Sequence, residues 1–147
     1  VNQLFCANTL DSSYATLFFA EYDDRAQRLR YANCGHLYGL LLRRDGTLER
    51  LESTGSVVGM FEEWDWEIGE RSLGAGDVFV LYTDGVTESF NEAGDEFGEE
   101  RLIETLGQCR EMPCRGMVES VVEGVRRFSP HEQHDDITLI VARCRGN

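Results

Sequence analysis

The alternation of hydrophobic and polar residues predicts a run of β-strands, then two α-helices, then one last strand. A half-buried strand carries an apolar side chain at every second position, and a strand covered on both faces is apolar throughout. The segments that fit one of these patterns are residues 14–22, 28–32, 37–43, 47–51, 64–71, 78–82 and 137–142. Turn residues such as Asp45-Gly46 separate neighbouring segments, which indicates antiparallel hairpins. Residues 78–82 are almost wholly apolar, so we expect this strand to be covered on both faces.

Two segments repeat their apolar residues with the period of an α-helix. The first covers about residues 99–106, with Gly107 as its expected end, and the second covers about residues 116–128, before Pro130. The apolar stripes consist of Leu102, Ile103 and Leu106 in the first helix, and of Met117, Val118, Val121, Val122, Val125 and Phe128 in the second. Strands followed by helices and a further strand predict an α+β domain with a mainly antiparallel sheet.

Composition and charge restrict the partners and the compartment. The 147 residues, 41% of them hydrophobic, suffice for one domain with a core. A formal net charge of −13 repels nucleic acids and anionic lipids. Five cysteines without a CxxC pair disfavour a disulfide framework or a zinc site. We expect a cytoplasmic protein without nucleic-acid or membrane contact by this domain. Because residues 1–5 read as the middle of an amphipathic segment, we also expect the chain to be part of something longer.

Two aspartate motifs are the best candidates for chemistry. Asp84-Gly85 follows the apolar segment 78–82, and Asp135-Asp136 precedes the last predicted strand. If the two strands are antiparallel neighbours, the end of one lies beside the start of the other and the carboxylates converge at one rim. Converging carboxylates repel each other unless a hard cation such as Mg²⁺ or Mn²⁺ binds between them. Taken alone, each motif is explained equally well by an ordinary structural feature, which is a turn for Asp84-Gly85 and a solvated strand start for Asp135-Asp136. The two motifs together favour a site.

Other polar and aromatic residues have simpler interpretations. His131 and His134 flank the second aspartate motif, where a polar loop is a better interpretation than metal ligation. His36 follows a glycine between two predicted strands and is interpreted as a structural histidine. Trp64 and Trp66 alternate along a predicted strand, which favours packing over ligand binding.

Several short motifs occur in a characteristic order. They are residues 31–36, 55–59, 76–77, 82–88, 91, 97–98, 101–102 and 135–139. In this order and with these spacings they resemble the SpoIIE/RsbU branch of the metal-dependent type 2C serine/threonine phosphatases. The resemblance extends from Tyr14 to Arg143 and covers nearly the whole chain. Each motif is weak by itself, but the ordered set is specific.

The resemblance implies an α-β-β-α sandwich with two Mn²⁺ or Mg²⁺ ions at the edge of the β layers. A water that bridges the ions attacks phosphoserine or phosphothreonine in this family. Asp84 matches the metal ligand of the Thr-Asp-Gly motif, and Asp135 matches the ligand that opens the last strand. Gly85, Asp136 and His36 are possible supporting residues, of which Gly85 would allow close approach of the backbone and Asp136 stands where relatives often have asparagine. The implied partner is a phosphorylated STAS-domain protein, an anti-sigma antagonist of bacterial partner-switching circuits.

The chain departs from the family in its upstream motifs. Neither the glycine-aspartate pair of the first strand nor the Asp-x-x-Gly-His-Gly turn, whose aspartate bridges both metals, is present. The single Gly-His pair is Gly35-His36, and it is followed by Leu37 in place of the usual proline. Residues 1–147 therefore resemble the C-terminal portion of the catalytic domain, without its N-terminal part.

Two expectations and two alternatives follow from this departure. We expect little or no phosphatase activity from these residues alone, because a two-metal centre needs the bridging acid. We also expect uncovered sheet edges, which allow a homodimer. The first alternative is a degenerate phosphatase that acts as a non-catalytic binding module in partner-switching signalling. The second is a plain structural α+β domain, which requires every ordered match to be accidental.

Overall fold

The computed structural model describes residues 1–10, 13–61, 63–64, 66–130 and 136–146. In this part of the chain the elements are α1 (Asn2–Asn8), β1 (Leu17–Asp23), β2 (Arg28–Cys34), β3 (Gly39–Leu42), β4 (Leu48–Leu51), β5 (Gly69–Ser72), β6 (Val78–Tyr82), α2 (Asp84–Thr87), α3 (Gly98–Gln108), α4 (Cys114–Phe128) and β7 (Leu139–Arg143). The order of strands, helices and a last strand confirms the predicted α+β class.

The strands form two antiparallel sheets. One sheet has the order β1-β2-β5, and the other has the order β4-β3-β6-β7. The β3–β4 hairpin pairs Gly39 with Leu51 and Leu42 with Leu48, as the turn at Asp45-Gly46 predicted. Strand β6 pairs with β3 on one side and with β7 on the other, so it lies inside its sheet.

Strand β6 is covered on both faces, as its apolar sequence predicted. On one face, Val78, Val80 and Tyr82 join the core that the four-stranded sheet forms with α3 and α4. On the other face, Phe79 packs against the core between the two sheets. The helices contribute Leu102, Leu106, Met117, Val121 and Val125 to the first core, and the second core is built from Leu29, Tyr31, Leu41, Leu51 and Leu73. Alternation along one strand thus connects the helix layer to both sheets.

The predicted strand at residues 64–71 is mostly wrong, since among the described residues of this segment strand structure begins at Gly69, in β5. Trp64 packs on Gly55 instead, so closely that a Cβ at Gly55 would lie 2.1 Å from the indole Cζ3. More than half of Trp66 (57%) is exposed, so the predicted packing role does not hold for this side chain. The alternation of this segment therefore belongs to a loop with one tryptophan directed inward.

The predicted end of the first long helix is also wrong. Helix α3 continues through Gly107 to Gln108, and Cys109 follows as its C-cap. Gly107 has no positive φ, which is the conformation that makes glycine a helix stop. None of the helices in the described ranges combines the length and hydropathy that a membrane span requires.

Candidate metal centre

The pairing of β6 with β7 brings the end of β6, which precedes Asp84, beside Asp136 and the start of the last strand, and this antiparallel pairing is the one predicted. Tyr82 is opposite Leu139 in the register, and Thr83 N donates to Thr138 O at 3.1 Å. The Thr83 hydroxyl extends this contact, because it accepts from Thr138 N at 3.0 Å and donates to Asp136 O at 3.2 Å. Thr83, the residue directly before Asp84, therefore holds the backbone of Asp136 and Thr138 beside the end of β6. Asp135, His131 and His134 lie outside the described residues.

Asp84 begins a helical turn rather than the glycine turn that the sequence predicted. Helix α2 starts at Asp84, and Glu88 N donates to Asp84 O at 2.7 Å. Gly85 is buried and has no positive φ, so it is not needed here for a left-handed backbone. Its N–H donates to Asp84 Oδ1 at 3.0 Å. Asp84 itself is exposed, which leaves its carboxylate accessible from solvent.

The connection from α2 to α3 is ordered by two polar side chains, Ser89, which the sequence analysis did not select, and Asn91, which it named only as a motif position without a role. Ser89 is buried, and its hydroxyl donates to Gly85 O at 2.8 Å. The Ser89 carbonyl accepts from Phe97 N at 2.8 Å. Asn91 Oδ1 accepts from the backbone N–H groups two and four residues later, both at 2.9 Å. A serine after an acidic turn and an asparagine before a glycine are the weak signals that could have indicated this loop.

Tyr82 is a further residue that sequence reasoning missed. Its side chain is buried on the helix side of β6, and its hydroxyl donates to Glu99 Oε2 at 2.8 Å. Burial, together with the hydrogen bond to Glu99, raises the pKa of Tyr82 above its ordinary value. The hydroxyl therefore stays protonated and remains a hydrogen-bond donor at neutral pH. The acidic first turn of α3 thus contributes one side chain, Glu99, to contacts with the sheet.

His36 is placed by a buried asparagine. Asn33 is fully buried, and its Oδ1 accepts from His36 N at 2.9 Å. Between them Gly35 has φ +72°, and a Cβ there would lie 2.3 Å from Val57 Cγ1. The His36 ring is 3.5 Å from the Thr16 hydroxyl, measured from Nδ1 to Oγ1. These contacts hold the turn that carries His36, the residue interpreted from the sequence as a structural histidine.

A cleft of about 190 Å³ connects this turn with the rim. Its lining consists of Thr16, Leu17, Phe18 and His36 on one side, and of Leu81, Tyr82, Thr83, Thr138 and Ile140 on the other. The cleft therefore lies between the two sheets, next to the threonines that join the two aspartate motifs. Its walls are apolar, and hydroxyl and imidazole groups provide its polar atoms.

The donors at the rim fit a hard cation in kind. Asp84 offers a carboxylate, and the neighbouring threonines and Asp136 offer further oxygen atoms, which suit Mg²⁺ or Mn²⁺ better than zinc. Within the described residues, no group of three His, Cys, Asp or Glu side chains is close enough together to hold a metal ion. In the described part of the rim Asp84 is therefore the candidate carboxylate ligand, and Asp135 stays the predicted second one.

Comparison with known proteins gives consistent matches. A family model described as Stage II sporulation protein E (SpoIIE) matches residues 1–145. The phosphoserine phosphatase RsbU of Bacillus subtilis (strain 168) is 32% identical in an alignment 147 positions long, which covers 97% of this chain and 43% of RsbU.

Two solved structures share the fold. The SiaA-PP2C domain of Pseudomonas aeruginosa has a TM-score of 0.77 at 24% identity, over 87% of this chain and 51% of that domain. The catalytic domain of the serine/threonine phosphatase PstP, solved with two manganese ions, has a TM-score of 0.65 at 20% identity, over 91% of this chain and 60% of the other. The chain thus spans about half the length of these proteins.

Proposed function

The chain belongs to the SpoIIE family, and from that membership we propose that it contributes to a metal-dependent serine/threonine protein phosphatase. The observation that carries this proposal is the β6–β7 pairing, in which Thr83 bonds both Thr138 and the Asp136 carbonyl. This pairing puts an exposed aspartate and the start of the last strand at one rim, where the family motifs require metal ligands.

We assign Asp84 and Asp135 as metal ligands of the proposed centre, with Gly85, Asp136 and His36 in supporting positions. A Mn²⁺ or Mg²⁺ ion held there would lower the pKa of a water bound to it and would neutralise negative charge on the phosphoryl group. The manganese ions in PstP support the choice of metal. In this chain, Asp84 provides an exposed side-chain carboxylate at the rim, and Thr83 keeps the two strand ends together by hydrogen bonds.

The substrate we propose is phosphoserine on a STAS-domain anti-sigma antagonist in the cytoplasm. RsbU is named a phosphoserine phosphatase, which supports phosphoserine as the substrate group. The resemblance to the SpoIIE/RsbU branch supports a STAS-domain protein as the partner. A protein substrate must approach the rim from outside, and the cleft beside Thr83 offers it apolar walls next to the proposed metal site. Homodimer formation stays a prediction, which sedimentation of the purified chain tests.

Manganese binding tests the ligand assignment directly. We compare the 147-residue chain with Asp84→Asn and with a control, Asp24→Asn, which removes the same charge from an exposed turn. Electron paramagnetic resonance of free Mn²⁺ is expected to show weak binding that Asp84→Asn reduces by about tenfold and Asp24→Asn changes by less than about twofold. Asparagine retains an oxygen that can accept from Gly85 N, so both variants are expected to unfold at the same urea concentration as the unmodified chain.

Phosphatase assays on a phosphoserine peptide test the activity. We expect little turnover from the 147 residues alone, and Asp84-dependent turnover from the gene product that carries them. Robust Mn²⁺-dependent turnover by the 147 residues would contradict the first expectation. Equal Mn²⁺ binding by Asp84→Asn and the unmodified chain would overturn the metal assignment and favour the non-catalytic binding module.

A further inference from the structure

One buried hydroxyl connects the strand that leads to the candidate metal centre with two other elements. The Tyr82 hydroxyl donates to Glu99 Oε2 at 2.8 Å. The other oxygen of this carboxylate, Oε1, accepts from Arg50 Nε at 2.7 Å and lies 2.5 Å from Arg50 Nη2. A single carboxylate therefore joins β6, α3 and β4. We refer to Tyr82, Glu99 and Arg50 together as the tyrosine tie.

The tyrosine tie closes a loop that contains Asp84. Tyr82 and Glu99 are 17 positions apart, and the chain between them consists of α2 and the α2–α3 connection. Inside this loop, Ser89 bonds Gly85 O and keeps the connection folded onto α2. Joining the two ends of a loop removes conformations in which its ends are apart. The tie therefore restricts the backbone that carries Asp84.

Packing alone does not require a hydroxyl at position 82. Phenylalanine would fill the same place in the core without burying a polar group. The hydroxyl instead demands a partner in a defined direction, and Glu99 meets this demand with a side chain that is only 25% exposed. Glu100 shares the first turn of α3 but is not a member of the tie. Glu100→Gln therefore measures the effect of removing an acidic side chain from the first turn of α3 while the tie stays intact.

We propose that Tyr82 and Glu99, with Arg50 as counterion, are positioning residues for Asp84. The inference rests on the proposed function, because positioning of Asp84 matters for affinity when Asp84 binds a metal. With the tie intact, α2 stays at the rim and the carboxylate is ordered before the cation arrives. A ligand that is ordered in advance binds more tightly, because less conformational freedom is lost on binding.

The test compares Tyr82→Phe and Glu99→Gln with the control Glu100→Gln. Mn²⁺ dissociation constants are measured by electron paramagnetic resonance at a temperature where circular dichroism shows every variant folded. We expect Tyr82→Phe and Glu99→Gln to weaken Mn²⁺ binding by about threefold to tenfold, and Glu100→Gln by less than about twofold. The double variant that combines Tyr82→Phe with Glu99→Gln is expected to bind Mn²⁺ no more weakly than whichever single variant has the lower Mn²⁺ affinity, because both substitutions break the same tie.

Amide hydrogen exchange provides a readout without metal. Val86 N donates to Thr83 O at 3.0 Å, and Glu88 N donates to Asp84 O at 2.7 Å. We expect these two amides to exchange faster in Tyr82→Phe and Glu99→Gln, while Glu100→Gln leaves them unchanged.

The outcomes separate the inference from the proposed function. Unchanged Mn²⁺ affinity in folded Tyr82→Phe and Glu99→Gln, despite a lower melting temperature, would overturn the positioning role and leave a structural tie. Absence of Asp84-dependent Mn²⁺ binding in the unmodified chain would refute the proposed function instead. In that case the exchange of the two amides still decides whether the tie orders the Asp84 backbone.

Discussion

Replacement of Asp77 by asparagine is expected to destabilise the turn from which β6 starts. Asp77 is 6% exposed. Its Oδ1 accepts from Arg44 N at 2.9 Å, and its Oδ2 accepts from Gly74 N at 2.9 Å and from Arg43 Nη1 at 2.8 Å. Asparagine can keep one acceptor, but its NH₂ group would then face the other donors. Arg43 retains an ion pair with Glu49 at 2.6 Å, which limits the damage.

The structure allows an estimate of the free energy that Asp77→Asn loses. All three bonds are accepted by a charged carboxylate, and one such bond contributes about 1.5–3 kcal/mol. An asparagine that keeps its oxygen toward Gly74 N and Arg43 Nη1 loses the bond from Arg44 N and the charge that strengthens the bond from Arg43, which predicts a decrease of about 3 kcal/mol in the free energy of unfolding. Since domains unfold with about 5–15 kcal/mol, this loss is readily measured.

The predicted loss depends on pH with a definite sign. Burial alone would raise the pKa of Asp77, but the hydrogen bonds from Gly74, Arg43 and Arg44 outweigh it and hold the pKa below its ordinary value. A lowered folded-state pKa stabilises the fold above the unfolded pKa of about 3.9. This stabilisation begins to fall once the pH is below the unfolded pKa, and it is lost completely as the pH falls through the lower, folded-state pKa. The difference between Asp77→Asn and the unmodified chain should therefore shrink in strong acid.

Urea unfolding at pH 7 and at pH 3, followed by circular dichroism, measures both effects. Asp24→Asn is the control, because it removes the same charge from an exposed turn and should change stability by less than about 0.5 kcal/mol. Equal midpoints for Asp77→Asn and the unmodified chain at pH 7 would refute the hydrogen-bond reasoning. A difference that does not shrink at pH 3 would refute the assignment of a lowered pKa.

Two further substitutions test the turn that carries His36. Asn33→Ala removes the bonds to His36 N, Leu37 O and Leu51 O, and we expect it to lower the free energy of unfolding by about 2–3 kcal/mol; a urea midpoint equal to that of the unmodified chain would contradict this. Gly35→Ala combines a φ of +72° with a Cβ contact of 2.3 Å, whereas Gly94→Ala has a φ of +83° with no atom within 4 Å. Thermal unfolding should therefore rank Gly35→Ala below Gly94→Ala, which costs about 1 kcal/mol; the reverse order would show that the contact does not matter.

The secondary structure was largely predictable because strand and helix periods are local properties. The apolar run at residues 78–82 predicted a strand with two covered faces, and β6 has Val80 on the helix side and Phe79 on the sheet side. The same reasoning failed at residues 64–71, because alternation over a few residues does not distinguish a strand from a loop with one inward side chain. It failed at Gly107 because glycine ends a helix only where the backbone needs a positive φ.

The pairing of the two strands that adjoin the acidic motifs was also predictable. The strand before Asp84 and the strand after Asp136 were expected to be antiparallel neighbours, and the pairing of Tyr82 with Leu139 confirms that they are. The sequence contained this information because each acid directly adjoins an apolar strand.

The amino-acid sequence by itself determined the α+β class, the central strand and the rim where β6 ends and β7 begins, because each depends on residues that are neighbours in the chain. Only the tertiary structure decided which polar groups hold that rim in place. Tyr82 and Arg50 meet Glu99 across 17 and 49 positions of sequence, and no local period relates such residues. Their contact depends on how α3 packs on the four-stranded sheet, since a buried hydroxyl takes whichever acceptor that packing brings within reach.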